Sequence, residues 1–222
     1  SESDAMMASS IWIARRRASP LRPPSLRQLS LHAHCILMSP RHSLPGDVDV
    51  STGLCANGRV RISESPGKGL GAFAAVRLRA DEEIGCYRGE TLLLETMHAR
   101  YSSDAPDDPS WRALWYDWQL QHRQERERRG VSVTGRYVFK FGVHPTSGRL
   151  IFLDAEDPDH ANWTRFINHS SRIPNLAVLK SVGEDDDPKI NFITLTNIEP
   201  GKELLFNYGP AYFDGELELD NR

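Results

Sequence analysis

A glycine-rich segment, Gly67-Lys-Gly-Leu-Gly-Ala-Phe73, is the first stretch of the sequence that could bind a ligand. Glycines at alternate positions adopt backbone conformations closed to other residues and let a ligand approach the main chain. The segment matches the dinucleotide fingerprint GxGxxA from Gly69 to Ala74, but that motif requires a long helix directly after it. The acidic run at 81–83 and the next predicted strand leave little room for such a helix. A P-loop is excluded because no Gly-Lys-Ser or Gly-Lys-Thr follows, and a plain turn remains the alternative.

A second polar segment, Arg165-Phe-Ile-Asn-His-Ser170, is followed closely by Pro174-Asn175. Three polar residues directly after an apolar pair are hard to explain by core packing. A serine hydrolase would need a GxSxG nucleophile elbow, which is absent here. His169 has no partners at the spacing of zinc ligands. An Asn-His pair alone is usually a capping or turn feature, and that alternative stays open.

A third segment, Glu203-Leu-Leu-Phe-Asn-Tyr-Gly209, ends an apolar strand with a tyrosine and a glycine. Tyr208 is placed as a tyrosine at the rim of a site would be. The alternative is a half-buried strand tyrosine with its hydroxyl in water.

The elements that must position these segments are mainly short β-strands. Two hairpins are predicted around the loops 144–148 and 183–188. The second loop holds the acidic run Glu184–Asp187, which we interpret as a solvated turn rather than a metal site. The predicted strands are Arg59–Ser63, Ala72–Leu78, Ile84–Tyr87, Tyr137–Val143, Leu150–Asp154, Leu176–Val182 and Ile190–Leu195.

A helical insert interrupts the β pattern. Asp108 is a plausible N-cap and Pro109 suits the first helical position. Apolar residues then recur at helical spacing, which predicts a stripe buried against the domain: Trp111, Leu114, Trp115 and Trp118. The charged run Gln124–Arg129 is predicted to be a solvated face with a Glu125–Arg129 pair, and Gly130 to close the helix.

Charge divides the chain into two parts. The sequence has 27 Lys and Arg against 30 Asp and Glu, a net charge of −3. Residues 1–46 hold six of the basic and two of the acidic residues, which leaves 21 and 28, a net of −7, for residues 47–222. We therefore expect a basic Arg/Ser/Pro-rich leader at 1–50, a domain at 51–213 with its insert at 91–136, and an acidic tail at 214–222. The leader has the composition of an organelle transit peptide or of a disordered basic tail.

Composition also excludes several protein classes. No apolar run approaches the roughly 20 residues of a membrane helix. Three cysteines without a CxxC pair exclude a disulfide framework and a cysteine-built zinc site. We expect no metal site, and no segment indicates direct binding of nucleic acid.

Taken in order, the three segments resemble the motifs of the SET-domain protein-lysine methyltransferases. Tyr87-Arg-Gly-Glu90 and Tyr137-Val-Phe139 fall between them at matching places, so the resemblance extends from Arg59 to Gly209. It implies a mostly-β fold of several small sheets, with a knot-like C-terminal crossing and one helical insert.

The resemblance also implies a site. Its cofactor would be S-adenosyl-L-methionine, bound by Lys68, Gly69, Leu70, Gly71, Tyr137, Arg165, Phe166, Asn168, His169 and Tyr208. Tyr208 would be the catalytic residue. The substrate lysine would enter a narrow channel lined by Tyr87, Phe206 and Tyr208. Phe206 stands where a tyrosine would restrict the product, so di- or trimethylation is expected.

The expected substrate is a lysine of a protein, most often in a histone tail, which implies a nuclear location. An alternative hypothesis is a methyltransferase for non-histone proteins in an organelle or the cytosol. The composition of the leader favours a chloroplast or a mitochondrion. A third hypothesis is a binding module that keeps the SET-domain fold but has no catalytic activity. Residues 210–222 lack the cysteines of the zinc module that follows many such domains, so Tyr212 and Phe213 are the candidates to close the channel.

Overall fold

A computed structural model describes residues 44–102 and 107–209. Within these residues the chain forms ten short strands, two α-helices and one short 3-10 helix at Trp163–Phe166. The α-helices are α1 (Leu94–Tyr101) and α2 (Pro109–Arg128). The strands are β1 (Val60–Ser65), β2 (Gly69–Ala74), β3 (Glu83–Cys86), β4 (Glu90–Leu93), β5 (Val138–Val143), β6 (Leu150–Asp154), β7 (Asn168–His169), β8 (Leu176–Val182), β9 (Pro188–Thr194) and β10 (Leu205–Phe206).

The strands form three small sheets, which confirms the predicted mostly-β fold. β1 and β2 make an antiparallel pair. A five-stranded sheet has the order β3-β9-β8-β10-β7, and a three-stranded sheet has the order β4-β6-β5. Both α-helices of the described residues lie in the predicted insert.

The glycine-rich segment is a strand, which corrects the predicted break after Ser63. The β1–β2 register continues to Ser65↔Gly69, and Gly71 pairs with Ser63. The turn is confined to the residues between these strands, where Gly67 has φ +75°. The predicted strand Ala72–Leu78 ends early, at Ala74. Backbone pairing therefore fixes the main chain of this segment, whereas a plain turn would leave it unpaired.

The C-terminal strand β10 confirms the predicted knot-like crossing. It lies between β8 and β7 and runs parallel to both, with the pairs Leu205↔Asn168, Phe206↔His169 and Phe206↔Leu176. Parallel strands cannot be joined by a tight hairpin, so the chain must cross back to reach this place. The crossing brings the second and third polar segments side by side.

Both predicted hairpins are confirmed, as β5–β6 and β8–β9. Their loops touch: His144 Nε2 lies 3.0 Å from the carbonyl oxygen of Asp186, and Thr146 Oγ1 donates to Asp186 Oδ1 at 2.7 Å. The acidic loop is exposed, as predicted. Among the described residues, no group of three or more His, Cys, Asp or Glu is arranged to hold a metal ion.

The main hydrophobic core lies between the sheets. It includes Phe192, Leu78, Leu204 and residues near the start of the described chain, Val48 and Cys55. Residues 44–50 were assigned to the leader from the sequence, but Val48 lies in the core of the domain and Leu44 packs against it. No helix in the described part of the chain is long and apolar enough to span a membrane.

Helix α2 begins as predicted. The Asp108 carboxylate accepts hydrogen bonds from the backbone N–H groups of Ser110 and Trp111, at 2.8 and 3.3 Å, and Pro109 is the first helical residue. Gly130, with φ +67°, follows the helix end, which also confirms the predicted stop.

The predicted buried face of α2 is wrong. Trp111, Leu114 and Trp118 are more than half exposed, and only Trp115 of the stripe is buried. The helix instead packs through Trp115, Gln119 and Arg126. The reason is electrostatic, because the surface under the helix carries buried carboxylates that pair with arginines of the insert.

The prediction that the charged run Gln124–Arg129 is solvated is wrong for Arg126, and the predicted Glu125–Arg129 pair is also wrong. Arg126 is 3% exposed, and its guanidinium lies 2.9 Å from Glu90 and 3.7 Å from Asp154. Glu125 pairs with Arg128, not with Arg129. Arg129 instead reaches Asp157 at 2.6 Å.

Candidate active site

The three polar segments meet around Asn168. Its side-chain amide donates hydrogen bonds to the Leu70 carbonyl at 3.1 Å and to the Glu203 carboxylate at 2.8 Å. One residue of β7 therefore joins the glycine-rich strand β2 to the segment that leads into β10.

Gly71 is a glycine because of this junction. A Cβ atom there would lie 2.6 Å from Glu203 Oε1, 2.9 Å from Ser65 Cβ and 3.0 Å from Asn168 Nδ2. Distances under 3.0 Å do not occur for real Cβ atoms, so any side chain would push Glu203 away from Asn168. At Gly71 the close approach, and not the conformational freedom of glycine, explains the residue, whereas Gly67 and Gly69 have the positive φ angles that glycine permits.

His169 connects the glycine-rich loop to the tyrosine segment. Lys68 Nζ donates to the His169 carbonyl at 2.9 Å, and the Tyr208 N–H donates to His169 Nδ1 at 3.1 Å. Nδ1 accepts this bond only when it carries no proton. Burial, followed by the charge of Lys68, lowers the pKa of His169, which favours the same neutral form.

The Tyr208 side chain is fixed through its hydroxyl and through its ring. Its hydroxyl donates to the Ile167 carbonyl at 2.5 Å. Its ring lies 5.3 Å from the His169 ring and 5.5 Å from the Phe206 ring, measured between centroids. Tyr208 is therefore half-buried and oriented, as expected of a residue at a site and not of a free strand tyrosine.

An aromatic cluster lies beside Tyr208. Phe206 stacks on Phe139, with centroids 5.6 Å apart and planes at 18°, and meets Phe192 edge-on at 5.7 Å. Tyr87 meets Phe139 edge-on at 5.3 Å. We call Tyr87, Phe139, Phe192, Phe206 and Tyr208 the aromatic cluster. It brings together all three predicted channel residues.

The Tyr87 hydroxyl is held away from water. It donates to the Tyr137 carbonyl at 2.6 Å. Burial raises the pKa of Tyr87 well above its ordinary value, and the neighbouring Tyr208 raises it further. Tyr87 therefore stays protonated and acts as a hydrogen-bond donor, not as a base.

Two further predicted cofactor residues, Arg165 and Phe166, contact the ring of Tyr137. The Arg165 guanidinium carbon lies 4.0 Å above the Tyr137 ring, and its Nη1 donates to the Glu156 carbonyl at 3.1 Å. The buried Arg165 Nε has no hydrogen-bond acceptor among the described residues. Phe166 is buried, and its ring meets Tyr137 edge-on at 6.3 Å.

Four residues of this arrangement were missed as site residues. Phe139 and Phe192 complete the cluster. Phe139 lies in a stretch that contributes to the family resemblance, whereas alternation within a predicted strand was the signal for Phe192. Glu203 positions Asn168 from 35 residues away, and no sequence pattern links the two. Glu156 is 1% exposed and accepts from the Tyr137 N–H at 3.3 Å, so it positions Tyr137.

The comparison with protein families decides between the alternative interpretations of the three polar segments. The family model of the SET domain matches residues 69–209, which is more than half of the chain. The match includes the second and third segments and the first from Gly69 onwards. The chain belongs to the SET-domain family. The resemblance drawn from the sequence is thereby confirmed, and the glycine-rich strand, the Asn-His segment and the tyrosine segment are parts of one SET domain.

Solved structures similar to this SET-domain chain include CpSET8 from Cryptosporidium, at 21% identity and a TM-score of 0.45. The Neurospora SET-domain protein DIM-5, a histone lysine methyltransferase, is similar at 22% identity and a TM-score of 0.47. A chain of an active polycomb repressive complex 2 in the basal state is similar at 25% identity and 0.43. Each alignment covers 68% of this chain, but only 57%, 52% and 15% of the other chains, respectively. The SET-domain chain thus spans less than two thirds of each.

Proposed function

We propose that this chain transfers a methyl group from S-adenosyl-L-methionine to the ε-amine of a lysine in another protein. The observation that carries the proposal is the fixed Tyr208, whose hydroxyl donates to the Ile167 carbonyl at the edge of the aromatic cluster. Membership of the SET-domain family supports the same reaction.

The residues present fit the proposed cofactor. S-Adenosyl-L-methionine carries a carboxylate, an ammonium group, a ribose and an adenine, and would supply an electrophilic methyl group. Lys68 is an exposed cation at the junction, suited to the carboxylate. Arg165 Nε is a buried donor without an acceptor, and an acceptor on a bound ligand would satisfy it. The backbone of Gly69–Gly71, the side-chain carbonyl oxygen of Asn168 and the ring of His169 would complete a mixed polar and aromatic set. The amide hydrogens of Asn168 are already bonded to Leu70 and Glu203.

The protein's own residues would prepare the lysine amine for attack. A lysine with a pKa near 10.4 must lose its proton, which costs roughly 4–5 kcal/mol at neutral pH. The aromatic cluster removes water, and desolvation favours the neutral amine. The oxygen of Tyr208 orients the amine, and backbone carbonyls such as that of Ile167 offer weak C–H···O contacts to a methyl group. Alignment in a dry channel then supplies most of the rate.

Substrate and location are further parts of the proposal. A histone tail is the leading substrate, because the net charge of −7 over residues 47–222 favours a basic partner. A histone substrate implies a nuclear location. The arginine-rich residues 1–50 favour the alternative of a non-histone substrate in a chloroplast or mitochondrion. Labelled-methyl transfer to purified histones and, separately, to total cell protein distinguishes the two.

Replacement of Tyr208 by phenylalanine tests the reaction. We expect Tyr208→Phe to lose at least about 100-fold in methyl transfer, because an orienting hydroxyl is removed while the ring packing is kept. Cofactor binding, measured by calorimetry, and the unfolding temperature should stay close to wild type. Tyr116→Phe is the matched control, since Tyr116 lies exposed on α2.

Three outcomes separate the hypotheses. Full activity of Tyr208→Phe would contradict the assigned role. A wild-type chain that binds the cofactor but labels neither histones nor total cell protein would be a silent module. A chain that labels total cell protein but not histones would be a non-histone methyltransferase.

A further inference from the structure

Lys180 lies directly outside the aromatic cluster. Its Nζ atom lies 5.7 Å from the centre of the Phe139 ring, and Phe139 stacks on Phe206. The same Nζ donates to the Lys140 carbonyl at 2.9 Å, which fixes the ammonium over the ring. A cation is thus held at the edge of the channel that the proposed function assigns to the substrate lysine.

The position of Lys180 in the sheet places it on the substrate side. β10, which carries Phe206, has β7 on one side and β8 on the other. His169 of β7 belongs to the group proposed to bind the cofactor, and Lys180 belongs to β8. Because the lysine would approach the methyl donor from the side opposite the cofactor, it would pass the Phe139–Phe206 stack, beside which Lys180 lies.

No carboxylate neutralises this cation. The groups that act on Lys180 are its own burial and the charge of Lys140, and both lower its pKa. The facing residue of β9 is the apolar Ile190, and no carboxylate of the acidic loop 184–187 is among the groups that act on the Lys180 charge. Among the described residues, Lys180 therefore has a backbone carbonyl and an aromatic ring as partners but no counter-ion.

We propose that Lys180, held by the Lys140 carbonyl, forms a binding subsite for a carboxylate of the substrate. The inference rests on the proposed methyl transfer and narrows its substrate class to lysines with an aspartate or glutamate close by in the sequence. A fixed ammonium loses little side-chain freedom when it pairs with such a carboxylate. Half-exposed ion pairs contribute up to about 1 kcal/mol, which corresponds to about a fivefold preference.

The test compares methylation sites made by variants of the full chain. Each variant is incubated with labelled S-adenosyl-L-methionine and heat-denatured total cell protein, and the methylated lysines are located by mass spectrometry. For wild type we expect acidic residues next to methylated lysines about two to five times as often as next to all detected lysines. Lys180→Gln should abolish this enrichment, and Lys180→Glu should replace it by enrichment of Lys and Arg.

Two controls accompany these variants. Lys189→Glu changes the same charge on the same hairpin, but Lys189 pairs with Ser181 and so points to the opposite face from Lys180. It should keep the wild-type enrichment, as should Lys180→Arg. Thermal unfolding of each variant checks that the fold is retained, and Lys180→Gln provides the test if Lys180→Glu is unstable.

The outcomes distinguish this inference from the proposed function. Label in wild type without acidic enrichment, or enrichment that survives in Lys180→Gln, overturns the carboxylate subsite and leaves the methyl transfer standing. Absence of label from wild type overturns the methyl transfer itself, and the subsite with it.

Discussion

Asn168 illustrates how a polar motif residue acts in this fold. Its amide group donates to both the Leu70 carbonyl and the Glu203 carboxylate, so both donors are used within the protein. The residue therefore holds three segments together instead of offering those donors to a ligand. Loss of the Asn168 side-chain amide would leave the part-buried Glu203 carboxylate and Leu70 carbonyl without this donor, and an unsatisfied buried group typically costs about 1–3 kcal/mol.

Phe206 is the residue at which product state is proposed to be set. It is 8% exposed and has no polar atom on its side chain, so Phe206 itself cannot hold a water molecule where a second methyl group would lie. We expect di- or trimethyl product from wild type and a shift to monomethyl product in Phe206→Tyr. Mass spectrometry of the product measures this, with Phe73→Tyr as a control outside the aromatic cluster. Only monomethyl product from wild type would contradict the expectation.

At the scale of elements, the helical insert is attached by buried ions as well as by apolar packing. Arg100 and Arg126 surround Glu90 and Asp154, and Asp154 is fully buried. The Tyr101 hydroxyl also donates to Asp154 at 2.6 Å. Buried charges cost solvation, so removal of one member of such a group is expensive even where the whole group adds little.

Two arginines on α2, two positions apart, give a matched comparison. Arg126→Ala should lower the free energy of unfolding by about 3 kcal/mol, because it leaves buried carboxylates short of a partner. Arg128→Ala should change it by less than about 1 kcal/mol, because the Arg128–Glu125 pair is exposed. Urea denaturation of both variants measures the difference. Equal effects would show that the buried pairs do not attach the insert.

The same interface should make stability depend on pH through His122. Burial, then the charges of Arg100 and Arg126, lower the pKa of His122 to about 4, while Asp154 and Glu90 oppose the shift. The unfolded chain, with a histidine pKa near 6.5, therefore binds a proton before the folded chain does. This contribution to stability is complete above about pH 6.5 and is lost as the pH falls towards 4.

Chemical denaturation between those pH values measures the loss. His122→Gln should flatten the decline of the unfolding free energy with falling pH. His160→Gln, at an exposed position, should leave the decline unchanged. An equal decline in wild type and His122→Gln would exclude His122 as its source.

At the scale of the whole molecule, two electrostatic effects act over different distances. The net charge of −7 over residues 47–222 would attract basic proteins over a long distance, whereas the proposed Lys180 subsite would act only next to the aromatic cluster. Salt screens the first effect more strongly, because the Debye length falls from roughly 30 Å at 0.01 M to roughly 3 Å at 1 M.

Raising the salt concentration should therefore slow methylation of histones more than methylation of a neutral peptide. We expect a several-fold fall in kcat/KM for histones between about 0.05 and 0.5 M salt, because steered encounters depend on ionic strength. The uncharged-flank peptide Gly-Ala-Lys-Ala-Gly is the reference substrate. A histone rate that does not respond to salt would exclude long-range attraction.

Much of the fold follows from local sequence. The cap by Asp108 and Pro109 and the stop at Gly130 depend on contacts within a few residues, and both were predicted. The two hairpins follow from alternation on either side of a short loop. The three polar segments and their order were also sufficient to identify the SET-domain family.

Tertiary structure alone decided which surfaces meet. The apolar stripe of α2 predicts an amphipathic helix, but the buried carboxylates of the sheet below select the face with Arg126 instead. Lys68 and His169 are 101 residues apart, and Asn168 and Glu203 are 35 apart, yet each pair is hydrogen-bonded. Such contacts exist only because β10 crosses back between β7 and β8, and a periodic pattern in the sequence reports neighbours along one element, not partners across the fold.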